Sequence, residues 1–409
     1  MRIVAVADTD SYVKWAAALL GAAPPEWDVR LRVLETPLAV SASQQRSALA
    51  GSGLRPAAVE RVTPGELNRR LRDDPPDAVL LAARGPLVRV LAKQVASLTP
   101  RPVIVTGLPG ISIPATRKAV LFRTQCDLFV LHSHREITAF ARLAAEEGFA
   151  QTFALASLPF ARRGAPGRGT DLVFAAQAVV PRERSERMRV ARLLRDTAQA
   201  DPTRRVVVKL RGVTGEHQTH TEADPYPDLL AALGDVPANL VVSTAPMARA
   251  LDDAEGLVTV SSTAAIEALA RGIPVIALDT FGVSPALINP VFVGSGLFGD
   301  EGEVIARRFR HPRASWLNAN YLHDPTDDDW SDRIVELVTR RRAGLLPPAH
   351  AVRRPGGRLR DAWERKLVLG AHDTTVSGHI ARAIGTPLRA AVRRIRSLAR
   401  RRQHIVSAH

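Results

Sequence analysis

Three hydroxyl side chains in a row, Ser261, Ser262 and Thr263, stand between a short apolar run, Leu257 to Val260, and a stretch of helix-tolerant residues that ends at Gly272. Strand, turn, helix and glycine stop follow from those propensities, and the apolar run Pro274 to Leu278 supplies the second strand of a βαβ crossover. At such a turn, unpaired backbone N–H groups and the positive end of the helix dipole favour an anion, and hydroxyls add donors. Phosphate binding is the chemistry this spacing can do. Ser and Thr are also preferred helix N-caps, so a plain cap is the competing reading. Glu267 lies too far on for a capping box. It either pairs with Arg271 on the helix surface or faces a cleft, where its carboxylate would accept hydrogen bonds from ribose hydroxyls.

Other candidates stand at the ends of other apolar runs. Asp8 and Asp10 occur in VADTDSYVKW, Gly107 and Gly110 in VTGLPG, and His132 and His134 in FVLHSH. One aspartate can cap the helix that begins near Ser11. The glycines read as a turn, because no GxGxxG is present. The histidines are two apart and share a face in an extended segment, but no third metal ligand is in view, so they read as the polar lining of a cleft. Gly294, Ser295, Gly296 and Gly299 make a mostly apolar loop that either closes over a substrate or only joins two elements. Lys209 and Arg211 end a further apolar run, and Glu216, His217 and His220 follow in a polar loop. That histidine pair alone offers too few ligands for tetrahedral zinc.

The elements that must position these residues alternate. Strands are expected at 2–7, 29–34, 77–82, 102–106, 128–132 and 152–156, with helices at 12–20, 64–71, 87–98 and 137–147 between them. After the Gly- and Arg-rich stretch 162–170 a second alternating set begins, with strands at 171–175, 205–210, 240–243, 257–260 and 274–278. The chain of 409 residues exceeds what one core usually supports. The fold class is therefore α/β, with two doubly wound Rossmann-like domains, 1–161 and 171–342, and a tail, 343–409. Trp330, Ile334, Val335 and Val338 give 327–342 helical character, and this helix is expected to cross back to the first domain.

The segment VSSTAAIEALARGIPV, Val260 to Val275, resembles the serine motif of bacterial glycosyltransferases that use CMP-activated acidic sugars, the polysialyltransferases and the capsular Kdo transferases. It is also similar to a group of actinobacterial glycosyltransferases. The likeness is tight over this segment and loose over most of the chain. It implies a GT-B-like fold whose two domains face a cleft, with Ser261, Ser262 and Thr263 near the nucleotide phosphate and Glu267 on the donor side.

In those enzymes a strand ends in Lys followed closely by His-Pro, and that histidine contacts the phosphate. Here Lys209 matches, Arg211 stands roughly in the histidine's place, and Glu216, His217 and His220 arrive later in a longer loop. Either a histidine folds back over the phosphate, or Lys209 and Arg211 alone neutralise the charge that develops as the glycosidic bond breaks. The resemblance makes Asp8 or Asp10 the general base and places Gly107, Gly110, His132, His134, Ser295 and Gly296 around the acceptor and the cleft. It implies a nucleotide-sugar co-substrate, a glycan or lipid-linked acceptor, and no metal or other cofactor. The alternatives are a non-catalytic nucleotide-sugar-binding module, or a relative of the same fold such as a UDP-sugar 2-epimerase or a CDP-glycerol glycerophosphotransferase.

The net charge of +15 is uneven: from Arg340 onward 17 Arg and Lys face three acids, while the preceding residues hold 39 against 38. The basic tail prefers an anionic surface, and the nearly neutral body gives no sign of a specific nucleic-acid partner. Residues 345–360 read as disordered, and Leu388, Val392, Ile395 and Ala399 with their flanking arginines read as a basic amphipathic helix suited to anionic lipid. A single cysteine, Cys126, and an opening MRIVAVADTD without signal-peptide features lead us to expect a cytoplasmic protein, peripheral at the inner membrane face.

Overall fold

The computed structural model describes residues 1–386 except 39, 160, 162, 163, 166, 168, 211–222, 350, 351, 353 and 354. Arg211, Glu216, His217, His220 and the segment 387–402 therefore lie outside the described residues.

Runs of Val, Ile, Leu and Ala, buried on both faces in the central strands, make two parallel sheets, with β2, β3 and β10 partly exposed toward their edges. The first contains β1 (Arg2–Ala7), β2 (Asp28–Leu34), β3 (Val59–Val62), β4 (Ala78–Ala82), β5 (Val103–Gly107), β6 (Leu128–Leu131) and β7 (Phe153–Leu155), in the order β3-β2-β1-β4-β5-β6-β7. Helices α1 (Asp10–Gly21), α2 (Ala42–Leu49), α3 (Pro64–Asp73), α4 (Gly85–Ala96), α5 (Arg117–Leu121) and α6 (His134–Glu146) connect them. The second contains β8 (Asp171–Ala175), β9 (Val206–Lys209), β10 (Leu240–Ser243), β11 (Ala254–Thr259), β12 (Val275–Leu278) and β13 (Phe298–Gly299), in the order β10-β9-β8-β11-β12-β13. Its helices are α7 (Arg184–Ala200), α8 (Tyr226–Leu233), α9 (Met247–Asp252), α10 (Ala264–Ala270), α11 (Glu301–Ile305) and α12 (Ala314–Ala319).

Strand order reverses between β1 and β4 in the first sheet and between β8 and β11 in the second. In doubly wound sheets the crevice at such a reversal, at the carboxyl ends of the strands, is where ligands bind. Each crevice is spanned here by a side-chain contact: Asp8 with Arg84 in the first, Gln177 with Ser261 in the second.

Helix α13 (Trp330–Arg342) leaves the second domain and packs beneath the first sheet, where Trp330, Ile334 and Val338 join the core of Trp15, Leu31 and Val105. Its entry is fixed by an edge-to-face pair, Trp27 with Trp330, whose ring centres are 5.9 Å apart. Helix α14 (Gly357–Leu369) also lies on the first domain, where Lys93 pairs with Asp361, Arg89 with Glu364 at 3.4 Å, and Leu369 enters the core. The expectation of disorder does not hold for its first turns, which are tied down by these ion pairs. The loop 281–300 is likewise better built than a flexible connection: Val291, Phe292, Ser295 and Leu297 are all buried, with short 3-10 turns at Pro285–Leu287 and Pro290–Phe292.

Candidate functional site

At the end of β11 the Thr259 hydroxyl donates to Ala175 O at 3.1 Å and accepts from Ser262 N at 3.1 Å, which folds the chain back into the hydroxyl turn. Ser261 is held by one side chain: its N–H donates to Gln177 Oε1 at 2.9 Å, and Gln177 Nε2 donates to its hydroxyl at 3.1 Å. Ser262 accepts from Ala264 N at 3.2 Å, a turn bond made one residue ahead of the N-cap of α10. Thr263, at the N-cap position, makes no side-chain cap bond. Its hydroxyl oxygen lies 3.0 Å from where a Cβ on Gly110 would sit, so the turn faces the VTGLPG loop of the first domain.

Gln177 is itself positioned. Buried Arg187 donates to Gln177 O at 2.9 Å and to Asp224 O at 2.7 Å, and its guanidinium lies 4.5 Å from the centre of the Tyr226 ring. No sequence signal singled out Gln177; a lone polar residue just past a buried strand is the only trace. Lys209 is buried at the end of β9, with its ammonium turned to Leu210 O.

The two readings of Glu267 separate. Arg271 is occupied by Ala248 O at 2.9 Å and Asp252 at 2.7 Å, whereas Glu267 reaches across the cleft to Lys14 of α1 at 3.5 Å. Glu267 thus faces the first domain.

On that side, Asp8 is fully buried and accepts from Arg84 Nε at 2.7 Å and Arg84 N at 3.3 Å. Burial raises its pKa above the ordinary carboxylate value, and Arg84 offsets part of that rise. Asp8 does not cap α1, whose N-cap is Thr9; Asp10 sits in the first turn, partly exposed, beside the Ser11 hydroxyl at 3.4 Å.

His132 does not line the cleft. It is fully buried, its Nδ1–H donates to Ala156 O at 2.8 Å, and its Nε2 accepts the Trp15 indole N–H at 2.7 Å. Burial pushes its pKa down to about 4, which keeps the ring neutral. Nor do His132 and His134 share a face, because β6 ends at Leu131 and His134 already begins α6. His134 is exposed and meets Asp327 at 3.0 Å. Gly107 serves packing, since a Cβ there would fall 2.4 Å from the Trp15 ring. Ser295 and Gly296 are also displaced from the candidate site: the buried Ser295 hydroxyl donates to Phe292 O at 2.6 Å and accepts from Leu297 N at 3.0 Å, and Gly296 adopts φ +80 in that closed turn. Among the described residues no group of three or more His, Cys, Asp or Glu gathers as a metal site.

Glu136 is the residue sequence reasoning missed. Fully buried at the start of α6, it accepts from Ser112 N at 2.7 Å, His132 N at 2.8 Å and the Tyr321 hydroxyl at 2.5 Å. It joins the loop after β5, the loop after β6 and the segment that precedes α13. Burial pushes its carboxyl up to about 7, against the pull of the Tyr321 hydroxyl and the two backbone donors. The arrangement brings together the hydroxyl turn, Gln177, Glu267, Lys14 and the Gly110 loop, with Lys209 at the end of β9 and Asp10 at the start of α1. It offers hydroxyl donors to an anion and a carboxylate to a polyol, between two domains that meet through hydrogen bonds.

Solved structures share this architecture. S. aureus MnaA in its co-structure with UDP superposes with a TM-score of 0.55 at 11% identity, over 84% of this chain and 97% of that one. UDP-GlcNAc 2-epimerase from Neisseria meningitidis bound to UDP-GlcNAc gives 0.52 at 12% identity, over 83% and 100%. At such identities the likeness concerns the fold, which is GT-B-like: two doubly wound domains across a cleft. No curated protein matches the chain. The family model described as "Putative glycosyltransferase (DUF6716)" matches residues 3–337, and the chain belongs to that family.

Proposed function

We propose that the chain moves a sugar from a nucleotide-sugar donor, held by the second domain, to an acceptor held by the first. A CMP-activated acidic sugar is the favoured donor, and a cell-surface glycan or lipid-linked molecule the acceptor. The observation that carries this reading is the hydroxyl turn at the strand-order reversal of the second sheet, braced by Gln177 and facing Gly110 across the cleft. Ser262 and Thr263 offer hydroxyl protons to the donor phosphate, and Lys209 supplies positive charge at the end of β9, one strand beyond β8, so the leaving nucleotide is stabilised where charge develops. Glu267 holds the ribose and gives up Lys14 as the donor enters. Of the two aspartates, Asp10 is the general base, because Asp8 is buried against Arg84 and serves to orient it.

A thermal-shift panel with CMP, CDP, UDP and GDP on the wild type and on Ser262→Ala tests the reading. At about 100-fold saturation a ligand that binds the folded state adds roughly 2.7 kcal/mol. One nucleotide should raise the melting temperature of the wild type, and its effect should shrink in Ser262→Ala. Stabilisation by UDP in place of CMP keeps the transferase and replaces the donor. No shift with any nucleotide would leave the turn as a helix cap and sink the proposal.

A further inference from the structure

Helix α14 is bolted to the first domain by Lys93–Asp361 and Arg89–Glu364, and the chain then returns along it as a helix over 376–386. The inner face of this return helix is made of small residues. Gly378 and Ala381 are buried, and a Cβ on Gly385 would lie 2.4 Å from the Trp363 ring. Its large residues point outward: Val376, Ile380 and Ile384 are 76%, 52% and 44% exposed. They recur every four residues and so form one stripe. A helix in a globular protein normally turns such a stripe to the core; here the stripe faces solvent and the core side takes glycine and alanine.

We infer that the Val376–Ile380–Ile384 face docks on an anionic lipid surface. The charge pattern selects this occupant. Residues 376–386 contain no acid, and residues 387–409 contain seven arginines and again no acid. The apolar spacing also continues in the sequence, at Leu388, Val392 and Ile395. A stripe of branched aliphatic side chains that carries Arg382 and no acid, and that an acid-free, arginine-rich sequence follows, needs no complementary shape, only an apolar layer beneath an anionic one. No helix among the described residues is long and apolar enough to cross a membrane. This deepens the proposed function, since it brings the first domain, the acceptor side, to the surface where a lipid-linked acceptor resides.

The test reads lipid binding alone, on nuclease-treated full-length protein without nucleotide, so its outcome is independent of the transferase reading. Flotation is compared on phosphatidylcholine vesicles with and without phosphatidylglycerol. The variant is the triple Val376→Ser, Ile380→Ser, Ile384→Ser, which leaves every charge in place. The wild type should float with the anionic vesicles only, and the triple variant should bind them roughly tenfold more weakly or worse at an unchanged melting temperature. Equal flotation of variant and wild type, flotation on neutral vesicles alone, or no flotation at all each overturns the inference. The last would leave the stripe to a protein partner.

Discussion

Gly110 and Thr263 meet closely across the cleft: a Cβ on the glycine would lie 3.0 Å from the threonine hydroxyl oxygen, so a side chain there must push the threonine back. The glycine is not in the left-handed region, so its backbone tolerates substitution, and the constraint comes from the opposite domain. Gly110→Val should therefore fold normally but wedge the domains apart, lowering donor-dependent turnover at least roughly tenfold. Full turnover in this variant would mean that the cleft does not work at this separation.

Lys14 and Glu267 form a cross-cleft ion pair whose cation is 43% exposed and whose carboxylate is 18% exposed. Such a pair adds little stability, so Lys14→Ala should change the unfolding free energy by less than about 1 kcal/mol. Glu267→Gln should instead weaken nucleotide binding, because it loses the anionic acceptor that a ribose would use. Isothermal titration of both variants with the stabilising nucleotide separates the two roles; equal losses would tie Glu267 to Lys14 alone.

Trp15 and His132 belong to the core. Trp15→Phe leaves the His132 Nε2 without its indole donor and should cost about 1–3 kcal/mol in denaturant unfolding, with nucleotide affinity unchanged. His132 has its pKa lowered to about 4 from an ordinary 6.5, so its contribution is present above pH 6.5 and is lost as pH falls through 4. Replacing His132 with Gln should flatten that acid limb.

Glu136 runs the other way. Its pKa of about 7 stands above the ordinary 4.5, so between these values the folded chain keeps a proton that the unfolded chain has shed. Its contribution is complete below pH 4.5 and is lost as pH rises through 7, with a slope of up to about 1.4 kcal/mol per unit. Glu136→Gln should remove that slope from a plot of unfolding free energy against pH. An unchanged plot would mean that Glu136 titrates normally.

Most of the alternation of buried strands and helices was legible because many strands are short apolar runs rich in β-branched residues with polar residues after them, as at Arg2–Ala7 and Val275–Leu278; β3, with Glu60 and Arg61 in a run of four, and the two-residue β13 gave no such signal. The hydroxyl turn was legible for the same reason. Contacts between distant segments were not. Glu136 reads as an ordinary first-turn carboxylate, and only Ser112 and Tyr321, 24 and 185 residues away, make it a buried junction. The histidine pair was misread because alternation was carried three residues past the true end of β6, to His134. The apolar loop around Ser295 looked flexible for its glycines, while Phe292 and Leu297 bury it. Nothing local announces that the stripe at 376–386 faces outward, since the same spacing usually marks a core face.

Trp330, Ile334 and Val338 complete a core whose other members are all drawn from the first domain. During synthesis an N-terminal domain ordinarily folds as soon as it leaves the ribosome. Here the core beneath the first sheet is complete only once Val338 has emerged, by which time the strands of the second have all been made. The domain begun first is thus finished last, and a chain released early would leave the indole of Trp27 without its partner.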